Sequence, residues 1–271
     1  MPGTRTVVLT GATGGIGRQI AERLAATADT RLLLIDRNAQ ALTGVGEFLA
    51  SAPAAVETIV ADLSIDEGRK AVRTNLMAAG TGLDLLINCA GINNFGMFAE
   101  ATPETIQTMI EVNVTAPMLL THMLLPYMLH GRPAQIVNFG STFGAIGYPG
   151  FATYSATKFA MHGFSQALRR ELRGTEVKVC YIAPRATRTA LNSGPVVEMN
   201  AALGVAMDPP EFVADQVMAA VRRRDNSDRY LGWPEKLFVR INALLPGIVD
   251  QALGRQLKTI RHFASAATSL R

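Results

Sequence analysis

The stretch from Thr6 to Gly17, TVVLTGATGGIG, limits the possible folds more than any other part of the chain. Thr6 to Thr10 is a short β-branched apolar run, the pattern of a fully buried parallel strand. The turn Gly11-Ala12-Thr13-Gly14-Gly15-Ile16-Gly17 follows, and a helical period runs from Ile16 to about Ala26. Strand, glycine loop and helix in this order make a phosphate site. Glycines let the backbone approach a pyrophosphate, and its charge meets the helix N-terminus.

The rest of the chain repeats the alternation. Leu32 to Ile35 reads as a second strand, ending at Asp36 and Arg37. An acidic residue there, about twenty residues past the loop, can bind both ribose hydroxyls of NAD and repel a 2′-phosphate. The Arg37 guanidinium could accept that phosphate, so NADP is not excluded. Val56 to Ala61 ends at Asp62 and Leu63, placed to flank an adenine; Leu83 to Asn88 leads into Cys89-Ala90-Gly91. A helix is expected from Pro103 to Met128, with Asn113 among apolar neighbours and a kink just before Pro117. Gln135 to Phe139 and Val177 to Ile182 are further strands. They are followed by a helix from Pro209 to Arg224 and a short seventh strand from Arg229 to Gly232. Strands and helices alternating at this spacing imply an α/β fold with a doubly wound parallel sheet. Asp36, Asp62, Asn88, Ser141 and Pro184 all fall at carboxyl ends of strands, where such sheets carry their sites.

The stretch NFGSTFGAIGYPGFATYSATK, Asn138 to Lys158, carries the chemistry. Tyr154 and Lys158 are four residues apart and share a helix face. An ammonium near a phenol favours the phenolate and lowers the Tyr pKa from about 10. Tyr154 then suits acid/base work on a carbonyl or alcohol, with the Ser141 hydroxyl binding the same oxygen.

Thr10-Gly11-x-x-x-Gly15-x-Gly17, Asn88-x-Ala90-Gly91, Asn113, Ser141 and Tyr154-x-x-x-Lys158 together resemble the short-chain dehydrogenase/reductases, over about residues 5 to 190. The resemblance implies a Rossmann fold built on a mainly seven-stranded sheet, a nicotinamide cofactor and a homodimer or homotetramer. It implies Tyr154 as general acid/base, Ser141 as binder of the reacting oxygen, and Lys158 as holder of the nicotinamide ribose. Asn113 would anchor a relay water. The family pattern after the sixth strand is Pro-Gly; here Pro184 is followed by Arg185, with Thr187 and Thr189 still able to face the carboxamide. Arg185 reads either as a solvent-facing side chain or as a contact to an anionic substrate group or the cofactor phosphates.

One domain of 271 residues is expected, with a mobile substrate flap at about 190–207 and a C-terminal extension at about 234–271. Leu191, Val196, Val197, Met199, Leu203 and Met207, with Met97 and Phe98, suggest an apolar pocket; they could equally be core or subunit contact. The extension is apolar with scattered Arg and Lys. It reads as a lid, a subunit contact, or a basic amphipathic element on a membrane surface. From Arg222 onward ten Lys/Arg face four Asp/Glu, so the net charge of +4 is a C-terminal property and gives little reason to expect nucleic-acid binding. Two cysteines in apolar runs read as buried free thiols, which points to a cytoplasmic setting. MPGTR leads straight into a strand, so no signal peptide is expected. No run reaches eighteen apolar residues, so no spanning helix is expected, and no metal is expected either. The expected activity is interconversion of a lipophilic secondary alcohol and its ketone with NAD(H). A non-catalytic dinucleotide sensor or scaffold, or an NAD-using epimerase or dehydratase, stands as the alternative.

Overall fold

The computed structural model describes residues 4–269 apart from 79, 81 and 193. The first three residues and the last two of the expected extension therefore lie outside the described residues. Seven strands form one wholly parallel sheet: β1 (Arg5–Thr10), β2 (Thr30–Asp36), β3 (Ala55–Val60), β4 (Leu85–Asn88), β5 (Ala134–Phe139), β6 (Val177–Ala183) and β7 (Asp228–Tyr230). Their order is β3-β2-β1-β4-β5-β6-β7. The chain winds outward from β1 in one direction, then from β4 in the other, so the crevice opens where the order reverses.

Each central strand is apolar on both faces because both are covered. Val7 and Leu9 of β1 point to one side, where α1 (Gly15–Ala25), α2 (Ala39–Phe48) and α8 (Pro210–Arg222) pack. Val8 points to the other, under α3 (Asp66–Met77), α5 (Ala116–Leu124) and α6 (Ala152–Glu171). Burying Val7, Val8 and Leu9 completely contributes roughly 1.5–3 kcal/mol each.

The long helix expected from Pro103 runs unbroken to Tyr127 but is not simply kinked. α4 (Pro103–Ile110) passes into a π turn, Glu111–Thr115, before α5 begins. Pro117 cannot donate to the ladder, and the wider turn absorbs that loss. By length and composition alone, Pro103–Tyr127 would also pass for a helix able to cross a membrane. Here it is a layer helix, packing Leu120 and Leu124 onto the sheet.

The segment expected as a flap contains a short 3-10 turn and α7 (Pro195–Ala202). The extension forms α9 (Glu235–Leu244) and α10 (Pro246–Ser269), broken at the anticipated proline. Ile260 and Ala264 of α10 are buried against Val196 and Met199 of α7.

Candidate active site

The glycine loop runs from the end of β1 to the start of α1. Gly11 has φ +70°, and a Cβ there would sit 2.7 Å from the Ala90 Cα. A Cβ on Gly17 would lie 2.0 Å from the Gly11 carbonyl oxygen. Only bare backbone lets loop, helix and β4 approach this closely. No side chain caps α1, whose N-cap is Gly14, so the first-turn N–H groups remain available to an anion.

Thr10 clamps the neighbouring turn: its hydroxyl accepts from the N–H groups of Cys89 and Ala90, both at 3.1 Å. Asn88 borders the crevice, but its amide donates to Thr121 Oγ1 at 3.1 Å and Asn138 Oδ1 at 2.8 Å. It braces β4 against β5 and α5.

At the end of β2, Asp36 Oδ2 accepts from the Thr13 N–H at 3.1 Å and from the Thr13 hydroxyl at 2.7 Å. Its Oδ1 accepts from the Asn38 N–H at 3.1 Å. Asp62, at the end of β3, is held below the usual carboxylate range by hydrogen bonds from the Ser64 hydroxyl and N–H, with Arg37 adding a smaller pull.

β5 delivers Ser141 and α6 delivers Tyr154 and Lys158. Ser141 Oγ accepts from the Phe143 N–H at 3.1 Å, fixing the turn after the strand, and its hydroxyl acts on the Tyr154 phenol in the direction that favours the phenolate. Lys158 Nζ donates to the Phe139 carbonyl at 3.1 Å and lies 5.5 Å from the Tyr154 ring centroid. Burial pushes Tyr154 up to about 12, against the smaller opposing effect of Ser141, and pulls Lys158 down to about 8. The expected lowering of Tyr154 by Lys158 is therefore not met in the protein alone. The ammonium is turned to a carbonyl, while desolvation acts on the phenol directly.

Asn113, in the π turn, spends its amide on structure. Its Oδ1 accepts from the Ile92 N–H at 2.8 Å; its Nδ2 donates to the Ile92 carbonyl at 2.9 Å and to Thr157 Oγ1 at 3.2 Å. Both side-chain donors are occupied, and Oδ1 keeps one lone pair beyond the Ile92 N–H. Tyr181 carried no signal of its own in the sequence. Its buried hydroxyl accepts from the Ser141 N–H at 3.4 Å and donates to the Lys158 carbonyl at 3.2 Å, tying the two catalytic elements together.

Arg185 fits neither expected role. Its guanidinium forks onto Asp208 at 2.9 and 2.7 Å and reaches Glu235 at 3.4 Å and the Trp233 carbonyl at 3.3 Å. A Cβ on Gly232 would lie 2.8 Å from Arg185 Cδ, so that glycine makes room for the side chain. Arg185 thereby fastens the loop carrying Thr187 and Thr189 to the start of α9.

These residues surround one cleft of about 410 Å³. Gly11 to Gly17 of the loop (Ala12 apart), Asp36, Arg37, Asp62, Leu63, Ala90, Gly91, Ser141, Tyr154, Lys158, Pro184, Thr187 and Thr189 all line it; Asn113 stands behind. Phe143, Phe151, Leu191, Val196 and Met199 line its far end. Val197 and Phe98, expected in an apolar pocket, are instead exposed. Cys180 is buried and Cys89 half-buried at the cleft wall, both as free thiols.

Loop, uncapped helix, acidic strand end and switch-point crevice define a dinucleotide-binding α/β oxidoreductase fold. A family model described as short chain dehydrogenase matches residues 5–198. Dehydrogenase/reductase SDR family member 7B of Bos taurus is 31% identical over 269 residues, covering 94% of this chain and 82% of that protein. A short-chain dehydrogenase from Sphingobium yanoikuyae in complex with NADPH has TM-score 0.76 and 27% identity, covering 91% of this chain and 95% of that one. A Burkholderia phymatum short chain dehydrogenase/reductase in complex with NAD has TM-score 0.80 over 89% of this chain and 93% of that one; at 24% identity the likeness is one of fold. The chain belongs to the short-chain dehydrogenase/reductase family.

Proposed function

We propose that the protein interconverts a secondary alcohol and a ketone with NAD(H), on a lipophilic substrate. The observation that carries this reading is the meeting of Ser141, Tyr154 and Lys158 with the glycine loop and Asp36 in one cleft. The Gly11–Gly17 loop and the first turn of α1 suit a pyrophosphate, and the residue types at Asp36, Lys158, Thr187 and Thr189 suit ribose and carboxamide. A bound nicotinamide supplies the hydride chemistry. Ser141 donates to the substrate oxygen and orients it. Tyr154, held protonated by burial, gives its proton to that oxygen as negative charge develops there. Buried Lys158, opposite the ring, favours the phenolate left behind. The apolar far wall, Phe143, Phe151, Val196 and Met199, excludes water and favours an alkyl or aryl group.

The test is NADH oxidation with a panel of ketones of rising apolar size, and NAD reduction with the matching alcohols. Turnover that improves with the apolar group supports the reading. A protein that binds NADH yet turns over no ketone or alcohol would be a sensor or an internal-redox enzyme instead.

A further inference from the structure

In and around α9 an apolar surface is left uncovered. α9 has no buried residue. Between residues 233 and 248, Trp233, Phe238, Leu244, Leu245 and Ile248 are 69%, 48%, 80%, 56% and 57% exposed. Single exposed apolar side chains are ordinary, but a group of this size in one stretch marks a contact surface. The flap does not cover it, because α7 is packed by Ile260 and Ala264, further along α10.

The charges select the partner. Lys236 and Arg240 are exposed one turn apart on α9, while neighbouring Glu235 is engaged by Arg185. The patch therefore presents apolar side chains with two free cations and no free carboxylate before Asp250. In a two-fold contact the same patch faces itself, so each copy would bring Lys236 and Arg240 to the seam with no free carboxylate from the other patch to pair them. An anionic lipid surface satisfies both features at once. Leucine and isoleucine enter the boundary, Trp sits at its edge, and Lys and Arg reach lipid phosphates from stems lying along the apolar surface.

We propose that residues 233–248 dock the protein onto an anionic membrane surface. The same segment is fastened to the active site from behind. Asn242 Nδ2 donates to the Ala145 carbonyl at 2.8 Å, in the loop between Ser141 and Tyr154, and Glu235 holds Arg185. On the function proposed above, docking sets the substrate end of the cleft toward the lipid that would hold an apolar substrate.

The experiment needs no turnover, so it is independent of that function. The purified full chain is sedimented with vesicles of phosphatidylcholine alone, or mixed equally with phosphatidylglycerol. The expected result is binding at least about tenfold stronger to the anionic vesicles. That binding should be lost at 1 M salt, where the screening length is about 3 Å. L244S/L245S and K236E/R240E should each weaken it at least about tenfold, with unchanged circular-dichroism melting and solution mass. The proposal is overturned by equal or absent binding to the two vesicle types, or by variants that bind as the unmodified chain does. It is equally overturned if L244S/L245S splits an oligomer, which would assign the patch to a second copy.

Discussion

Replacing Asp36 by Asn should shift the nucleotide preference, and the structure sets the size of the shift. Three donors already point at the carboxylate, two from Thr13 and one from Asn38. A carboxylate offers about four lone-pair sites, so about one is left for a ribose hydroxyl. A 2′-phosphate at about 5 Å would be repelled by about 3 kcal/mol per unit charge at an effective dielectric of about 20. Exposed Arg37 returns at most about 1 kcal/mol, since solvated ion pairs are weak, and Asp62 competes for its field. The remaining 2 kcal/mol or so corresponds to roughly a thirtyfold preference for NADH over NADPH. Asp36→Asn keeps an oxygen for Thr13, removes the charge and leaves an amide able to donate to a phosphate. Fluorescence titrations of both nucleotides should then show the Kd ratio falling by at least about tenfold. An unmodified protein that binds NADPH more tightly, or a variant whose ratio moves by less than about twofold, would refute the reasoning.

Two further outcomes follow from groups at the edge of the cleft. Arg185→Met leaves Asp208, only 10% exposed, without its partner, and should cost about 2 kcal/mol or more in a denaturant titration; an unchanged midpoint would show the pair to be idle. Burial holds Lys158 at about 8 against its ordinary 10.5, so its charged form penalises folding below pH 8 and that penalty lifts as pH rises toward 10.5. Burial also raises Cys89 and Cys180 from 9.0 to about 12 and Tyr154 from 10.0 to about 12, and these act oppositely above pH 9 and pH 10 respectively. The cofactor-free protein should gain denaturation midpoint between pH 8 and 9, and Lys158→Met should lack most of that gain.

Most of the sheet was legible because its strands are buried on both faces and read as unbroken apolar runs between turn signals. Asp36, Asp62, Ser141 and Pro184 could be placed for the same reason: a parallel sheet gathers the carboxyl ends of its strands at one crevice. The π turn at Glu111–Thr115 was not legible, since Pro117 announces a disturbance but not the extra residue that absorbs it. Tyr181 and Arg185 were missed or misread because their partners come from distant elements, joined only when β5, β6 and α6 pack and when the chain returns at Asp208 and Glu235. The ionisation of Tyr154 was read in the wrong direction because sequence spacing reveals a nearby ammonium but not complete burial.

Paired kinetics and binding on Tyr154→Phe test the central claim most directly. The substitution removes one hydroxyl and leaves the ring packed against Phe143 and Phe151, with centroids 6.4 Å away in each case. Loss of the general acid should lower turnover by roughly 10²–10⁴-fold or more. NADH affinity should stay within about threefold, a change under about 1 kcal/mol. A Phe variant that keeps more than about half the unmodified rate on any substrate found would contradict the assignment of Tyr154 as the proton donor, since general acid loss cannot be that small.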